Sequence, residues 1–159
     1  MQTSGQLACQ VRQAQGIFIV NDRADVARAV DADGVHLGQD DLPVELARRV
    51  LNRGKRVGYS THVLAQVIEA ENSSADYIAF GPVFPTSSKE NPDPVVGLEG
   101  LRKARQASRK PLVAIGGITA ENARAALDAG ADSVAVIGGL LSAQDVAARA
   151  REFLRVLEE

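Results

Sequence analysis

The chain has 159 residues, of which 45% are hydrophobic and 24% charged, and its formal net charge at pH 7 is −2. This composition fits one globular domain spanning residues 1–159. The slightly negative charge and the lack of any Lys/Arg-rich run give no basic footprint for nucleic acid. No apolar stretch approaches the roughly 20 residues of a membrane span. Residues 1–6 lack the pattern of an export signal, so we expect a cytoplasmic protein.

Apolar runs and helical patterns alternate along the chain. A helix-like segment over Thr3–Gln15 comes first, and its cysteine, Cys9, is expected to be a small, semi-buried residue. The strand-like runs are Ile17–Val20, Val35–Leu37, Arg56–Tyr59, Tyr77–Phe80, Leu112–Ile115 and Ser133–Ile137. The helical patterns between and after them are Ala24–Val30, Val44–Leu51, Leu64–Glu71, Leu98–Ala107, Ala120–Ala129 and Ala143–Leu157. This alternation predicts an α/β fold with a parallel sheet, either doubly wound or a (βα)₈ barrel.

Three of the helix-to-strand joints repeat an Ala-Asp pair directly before a strand, at Asp33, Asp76 and Asp132. Each is a short polar turn, as expected for tight βα units. Six strands are countable, whereas a closed barrel of this type needs eight. The one wide gap between strands holds the Gly81–Gly97 loop, so this loop is predicted to be an insertion after a strand.

Polar residues and glycines follow each predicted strand, where α/β folds place their sites. In chain order they are Asn21-Asp22, Gly38-Gln39-Asp40-Asp41, Ser60-Thr61-His62, Gly81–Lys89, Gly116-Gly117 and Gly138-Gly139. The hydroxyls and the lysine of Thr86-Ser87-Ser88-Lys89 suit a phosphate ester, although such a loop can also be merely solvated. Glycine pairs before a helix let backbone N–H groups approach an anion, but they also serve tight turns.

The carboxylates at the strand ends have two interpretations. Asp22 and Asp41 could together hold a hard cation such as Mg²⁺, or each could cap the helix that follows it. Asp40 competes with Asp41 for the metal role. His62 follows a strand at the same edge and is either catalytic or locally hydrogen-bonded. His36 lies within a strand, and we interpret it as structural.

Several of these segments resemble the thiamine-phosphate synthase family. They are Phe18–Arg23, Gly34–Asp41, Ser60–His62, Gly81–Lys89 and Ala114–Thr119. The resemblance implies a (βα)₈ TIM barrel, here incomplete with about six parallel strands. It also implies a cytoplasmic transferase of thiamine biosynthesis that joins hydroxymethylpyrimidine diphosphate to a thiazole phosphate, releases diphosphate and uses Mg²⁺.

The resemblance also assigns roles to residues. It makes Asp22 and Asp41 the Mg²⁺ ligands. It places the pyrimidine diphosphate on Asn21, Ser60 and Lys89, with Lys89 and Ser60 as the catalytic residues. It assigns the thiazole phosphate to Thr86, Ser87, Ser88 and Gly117, with Ile137 and Gly138 lining the same pocket.

Two departures from the family pattern bear on these roles. Gly138 stands where the family usually has a serine. The family's first two strands and first helix, with a Gln-x-Arg-x-Lys motif that grips the diphosphate, have no counterpart here. We therefore expect open barrel edges that favour self-association. There are two alternatives to a synthase. One is an isomerase similar to the thiazole tautomerases, which use a histidine at the position of His62. The other is a non-catalytic protein that binds thiazole phosphate.

Overall fold

The computed structural model describes residues 2–86 and 93–158, and helices alternate with parallel strands along these ranges. The strands are β1 (Ile19–Asn21), β2 (Gly34–Leu37), β3 (Arg56–Thr61), β4 (Tyr77–Phe80), β5 (Leu112–Ala114) and β6 (Ser133–Val134). The helices are α1 (Gln2–Gln13), α2 (Ala24–Ala29), α3 (Val44–Val50), α4 (Leu64–Glu71), α5 (Gly97–Ala107), α6 (Ala120–Asp128), α7 (Gly138–Leu141) and α8 (Val146–Glu158). The strand order in the sheet is the chain order. The predicted parallel α/β fold is confirmed.

The chain divides into two compact units. The first comprises the residues up to Ser60 together with Asn72–Tyr77, and in it β1 pairs with β2 and β2 with β3. The second comprises Thr61–Glu71 and the residues from Ile78 onward, and in it β4 pairs with β5 and β5 with β6.

Each unit has its own buried core. In the first unit Val35, Leu37 and Val57 are fully buried and pack with the small residues of α2 and α3, while Tyr59 packs at the edge of this cluster. Successive strand residues point to opposite faces of a sheet. His36, Gly58 and Ser60 therefore lie on the face turned away from these helices. In the second unit the fully buried side chains include Val67, Ile78, Leu101 and Leu112.

The three Ala-Asp joints form the same structure, which we call the aspartate joint. At the first, the backbone N–H of Asp33 donates to the Phe18 carbonyl at 2.9 Å, and Asp33 Oδ2 accepts from the Phe18 N–H at 2.8 Å. The same two bonds join Asp76 to Val57 and Asp132 to Leu112. The alanine before each aspartate is buried. The joint thus ties the start of one strand to the start of the preceding strand.

Some predicted details are wrong. The run Ser133–Ile137 was expected to be one strand, but β6 ends at Val134 and Ile137 caps the short helix α7, which the sequence did not predict. In the sequence, the two glycines at the start of α7 predict a turn. Cys9 is exposed rather than semi-buried, because α1 buries only Ala8 among its described side chains. No described helix is long and apolar enough to cross a membrane.

Candidate active site

The end of β1 places Asn21 and Asp22 together in the first unit. Asn21 Nδ2 donates to Asp22 Oδ1 at 2.7 Å, and the Asp22 N–H donates to the His36 carbonyl at 2.8 Å. Asp22 has a φ of 63°, in the left-handed region that few non-glycine residues adopt. Helix α2 has Arg23 as its N-cap, so Asp22 does not occupy the capping position. The backbone strain and the amide contact hold an exposed carboxylate at the strand's carboxyl end.

The turn after β2 fixes Asp41. Its Oδ2 accepts from the Gly38 N–H at 2.6 Å, and the Asp41 N–H donates to the Gly38 carbonyl at 3.4 Å. The N-cap of α3 is Pro43, so Asp41 does not cap that helix. Asp40 in the same turn is exposed, whereas Asp41 is half-buried. The anchored, half-buried carboxylate of this turn is therefore that of Asp41.

Ser60, near the end of β3, belongs to a polar network on the sheet face turned away from the helices. Its Oγ lies 2.8 Å from His36 Nε2, and His36 Nδ1 lies 3.0 Å from the Tyr77 hydroxyl. The two rings stack with centroids 5.5 Å apart. Burial lowers the pKa of His36, and the Asp41 charge partly opposes this shift. Burial also raises the pKa of Tyr77, so the phenol stays protonated at neutral pH.

Sequence reasoning missed this network. It interpreted His36 as structural and assigned Tyr77 no role beyond its strand. The available signal was Gly58, a glycine inside a strand, which often marks a close approach of another group. A Cβ built on Gly58 would overlap the Tyr77 ring and lie 2.5 Å from His36 Nδ1. The network therefore occupies the space that a side chain at position 58 would fill.

His62 in the second unit is held by its neighbours. Its Nδ1 lies 2.6 Å from the Gly81 carbonyl oxygen and 3.5 Å from Asp93 Oδ2, and its backbone N–H donates to Gln66 Oε1 at 2.7 Å. Because a carbonyl oxygen only accepts, Nδ1 carries the proton. In the neutral ring the lone pair is therefore on Nε2.

The loop after β4 runs alongside the glycine pair after β5. The Val83 N–H donates to the Ile115 carbonyl at 2.8 Å, and the Phe84 N–H donates to the Gly116 carbonyl at 3.1 Å. Thr86 is half-exposed. Ser87, Ser88 and Lys89, which the resemblance assigns to the two substrates, lie outside the described residues.

The glycine pair itself has left-handed backbone, with a φ of 86° at Gly116 and 65° at Gly117. A Cβ on Gly117 would overlap the Pro85 carbonyl oxygen and lie 2.8 Å from Phe84 C. Asn122 Nδ2 donates to the Gly117 carbonyl at 2.9 Å, which fixes the turn against the start of α6. Close backbone packing therefore requires glycine here.

The second predicted glycine pair opens α7. Gly138 is the first residue of this helix, after the exposed Ile137. A Cβ on Gly139 would lie 2.5 Å from the Ile118 carbonyl oxygen. The turn after β5 and the start of α7 are thus neighbours, as the sequence predicted for adjacent strand ends.

Comparison with known proteins places this arrangement in a family. The family model described as thiamine monophosphate synthase matches residues 2–140. The thiamine-phosphate synthase of Koribacter versatilis is 56% identical over 140 residues, which cover 88% of this chain and 65% of that protein. The enzyme of the same name from Methanocella arvoryzae is 50% identical over 142 residues, which cover 89% and 67%. The chain thus spans about two thirds of the length of these curated relatives.

Solved structures agree with the sequence matches. The thiamine phosphate pyrophosphorylase from Pyrococcus furiosus superposes with a TM-score of 0.90 at 41% identity, covering 99% of this chain and 75% of that one. A 3-hexulose-6-phosphate synthase, at 21% identity and a TM-score of 0.70, shares the fold alone. The predicted TIM-barrel type of α/β fold is confirmed. The chain belongs to the thiamine monophosphate synthase family.

Proposed function

We propose that residues 1–159 form one thiamine-phosphate synthase-like domain, a transferase that joins hydroxymethylpyrimidine diphosphate to thiazole phosphate and releases diphosphate. The observation that carries the proposal is the strained Asp22, whose carboxylate Asn21 holds at the carboxyl end of β1. Strain of this kind persists where the surrounding structure enforces it, and it clusters at functional sites. Family membership supports the same reaction.

Asp22 and Asp41 are the proposed Mg²⁺ ligands. Both supply the hard oxygen donors that Mg²⁺ prefers, and the bond from Gly38 fixes one oxygen of Asp41. Among the described residues no group of three or more His, Cys, Asp or Glu side chains could hold a metal ion. Two carboxylates fit Mg²⁺ nonetheless, because this ion keeps several waters and binds substrate phosphates. When bound, Mg²⁺ supplies positive charge that stabilises the departing diphosphate.

The pyrimidine diphosphate is proposed to bind Asn21, Ser60 and Lys89. The Asn21 amide and the Ser60 hydroxyl give it neutral hydrogen bonds. The Lys89 ammonium gives a point charge for the leaving group. We assign catalysis to Lys89 and Ser60, since both would contact the substrate whose bond breaks.

The thiazole phosphate is proposed to bind the second unit. Its donors are the hydroxyls of Thr86, Ser87 and Ser88 and the backbone around Gly117, with Ile137 and Gly138 as lining residues. The tight packing around Gly117 supports this assignment, because it brings the main chain of two loops together. Gly138 offers only its backbone where a serine would add a hydroxyl.

The proposed mechanism is dissociative. The C–O bond to the diphosphate breaks, a pyrimidine-methyl cation forms, and the lone pair of the thiazole nitrogen captures it. The residues of the chain stabilise charge and position both substrates, and the reaction needs no general base. A second candidate, an isomerase similar to thiazole tautomerases, has one favourable observation: His62 carries its proton on Nδ1, which leaves Nε2 able to accept one.

The test is thiamine phosphate formation by the purified chain from both substrates, with and without Mg²⁺. The synthase proposal expects turnover that requires Mg²⁺, with Lys89→Ala reducing kcat far more than His62→Ala. If the chain binds the thiazole phosphate but forms no thiamine phosphate, the synthase proposal fails and the isomerase and the non-catalytic alternative remain. If the chain binds neither substrate in calorimetry, the proposal is refuted.

We also propose a cytoplasmic location and self-association through the sheet edges. β1 and β6 stand at the two ends of the strand order of the described sheet, and exposed strand edges pair readily with other chains. Sedimentation velocity over a concentration series tests this, and a concentration-independent monomer would contradict it.

A further inference from the structure

The Tyr77–His36–Ser60 network links a residue of the proposed substrate site to two side chains that the proposed function does not use. His36 Nε2 lies 2.8 Å from Ser60 Oγ, and His36 Nδ1 lies 3.0 Å from the Tyr77 hydroxyl. Gly58 makes the space in which the two rings meet. Each ring nitrogen of His36 thus has a hydroxyl partner, so the tautomer of the histidine decides which hydroxyl donates.

The chemistry of the two hydroxyls sets that tautomer. A phenol is an acid of pKa about 10, and a serine alcohol is far weaker, so the phenol is the better donor and the poorer acceptor. Tyr77 therefore donates its O–H to His36 Nδ1. The proton of the neutral imidazole is then on Nε2, and this N–H donates to Ser60 Oγ.

This direction has a consequence for Ser60. Because its oxygen accepts from His36, its own hydrogen is not used in the network. A hydroxyl in this state donates outward and does not turn its hydrogen toward the histidine. With the opposite tautomer, Ser60 would donate to Nε2 and would present only lone pairs to a ligand.

We propose that His36 and Tyr77 are positioning residues that fix the Ser60 hydroxyl as a hydrogen-bond donor to an acceptor atom of the pyrimidine diphosphate. The inference rests on the proposed function for the identity of this ligand. With its hydroxyl fixed as a donor, Ser60 favours a substrate that has a hydrogen-bond acceptor at this point, such as a ring nitrogen or a phosphate oxygen. It disfavours a substrate that has a donor there.

The first test is a double-mutant cycle with Tyr77→Phe and Ser60→Ala, measured as the Kd of hydroxymethylpyrimidine diphosphate by calorimetry and as kcat. We expect Ser60→Ala to weaken binding about tenfold, as for a lost hydrogen bond to a charged ligand. Tyr77→Phe should weaken it about threefold when Ser60 is present and less than twofold in the Ser60→Ala background. Equal losses in the two backgrounds would overturn the inference, since a merely structural role of Tyr77 does not depend on Ser60.

The matched control is Tyr59→Phe. It also removes one phenol oxygen from the first unit, but Tyr59 packs at the edge of the helix-facing core. Its Kd should stay within twofold of the unmodified chain, and a loss equal to that of Tyr77→Phe contradicts a specific role for the network.

The second test needs no substrate. Two-bond ¹H–¹⁵N correlations of the His36 ring in the unmodified chain report which nitrogen is protonated. We expect protonated Nε2 and unprotonated Nδ1, with the preference lost in Tyr77→Phe. A ring protonated on Nδ1 alone overturns the inference. If the chain binds no pyrimidine diphosphate, the proposed function fails, while this measurement still decides the direction of the network.

Discussion

Replacing Asp132 by alanine tests how much the aspartate joint stabilises the pairing of neighbouring strands. In the joint, Asp132 Oδ2 accepts from the Leu112 N–H at 2.7 Å and from Arg105 Nη1 at 2.8 Å. Leu112 is fully buried at the start of β5. Arg105 also donates to the carbonyls of Ser108 and Lys110, so it keeps partners in the variant. The main cost of the substitution is therefore the hydrogen bond that the Leu112 N–H loses.

The magnitude follows from these contacts. A buried backbone N–H that loses its acceptor costs about 1–3 kcal/mol. The part-exposed ion pair with Arg105 adds about 0–1 kcal/mol. We expect the free energy of unfolding to fall by about 2 kcal/mol, a large share of the roughly 5–15 kcal/mol typical of a domain. For a chain of this size that corresponds to a Tm lower by about 4–8 °C.

The assay is thermal and urea unfolding followed by circular dichroism, with two companion variants. Asp132→Asn keeps one acceptor oxygen and should lose less than Asp132→Ala. Asp128→Ala is the matched control, because Asp128 Oδ1 also pairs with an arginine, at 2.9 Å from Arg124 Nε, in an exposed i,i+4 pair. It should cost only about 0.2–0.5 kcal/mol. Equal losses for Asp132→Ala and Asp128→Ala would refute the reasoning.

Two further predictions concern the pH dependence of stability and the turn at Gly117. The hydrogen bond from Ser108 lowers the pKa of Glu71 below its usual 4.5, so its stabilising effect is present above about pH 4.5 and is lost as the pH falls through the lower folded-state value. The Tm difference between the unmodified chain and Glu71→Gln should narrow in that acid range of a melting series, and a constant difference would count against the linkage. Gly117→Ala should weaken thiazole phosphate binding at least tenfold in calorimetry, since its Cβ overlaps the Pro85 carbonyl; Gly5→Ala, which meets open space, should not.

The sequence predicted the fold well because most of its strands and helices have a strong local signal. Near-continuous apolar runs flanked by polar turns indicate buried parallel strands. Tyr77–Phe80 and Leu64–Glu71 have the predicted bounds. The failure at Ile137 has a physical cause: an apolar run followed by two glycines fits a strand and turn as well as a short helix. In the structure the Leu141 N–H donates to the Ile137 carbonyl at 2.8 Å, which closes a helical turn.

The site was less predictable than the fold. The list of strand ends made Asp22, Asp41 and Ser60 candidates, because the ends of parallel strands are visible in the sequence. Spacing alone could not choose between Asp40 and Asp41 as the metal ligand. In the structure the Gly38 N–H donates to Asp41 Oδ2, a short-range contact that the sequence does not show. The hydrogen bonds of His36 were not predicted because they depend on which sheet face holds a tyrosine 41 positions later in the chain.

The aspartate joints and the proposed substrate-binding residues lie at opposite ends of the same strands. The aspartate joints bind the starts of β1, β3 and β5, whereas Asn21 and Ser60 lie at the carboxyl ends of β1 and β3. A joint therefore fixes a strand several residues away from the residue that is proposed to contact substrate. It follows that Asp132→Ala should lower the free energy of unfolding without changing ligand Kd below the transition. A site change such as Ser60→Ala should instead raise the Kd of the pyrimidine diphosphate, because the hydroxyl that it removes lies outside all three joints and is proposed to contact that substrate.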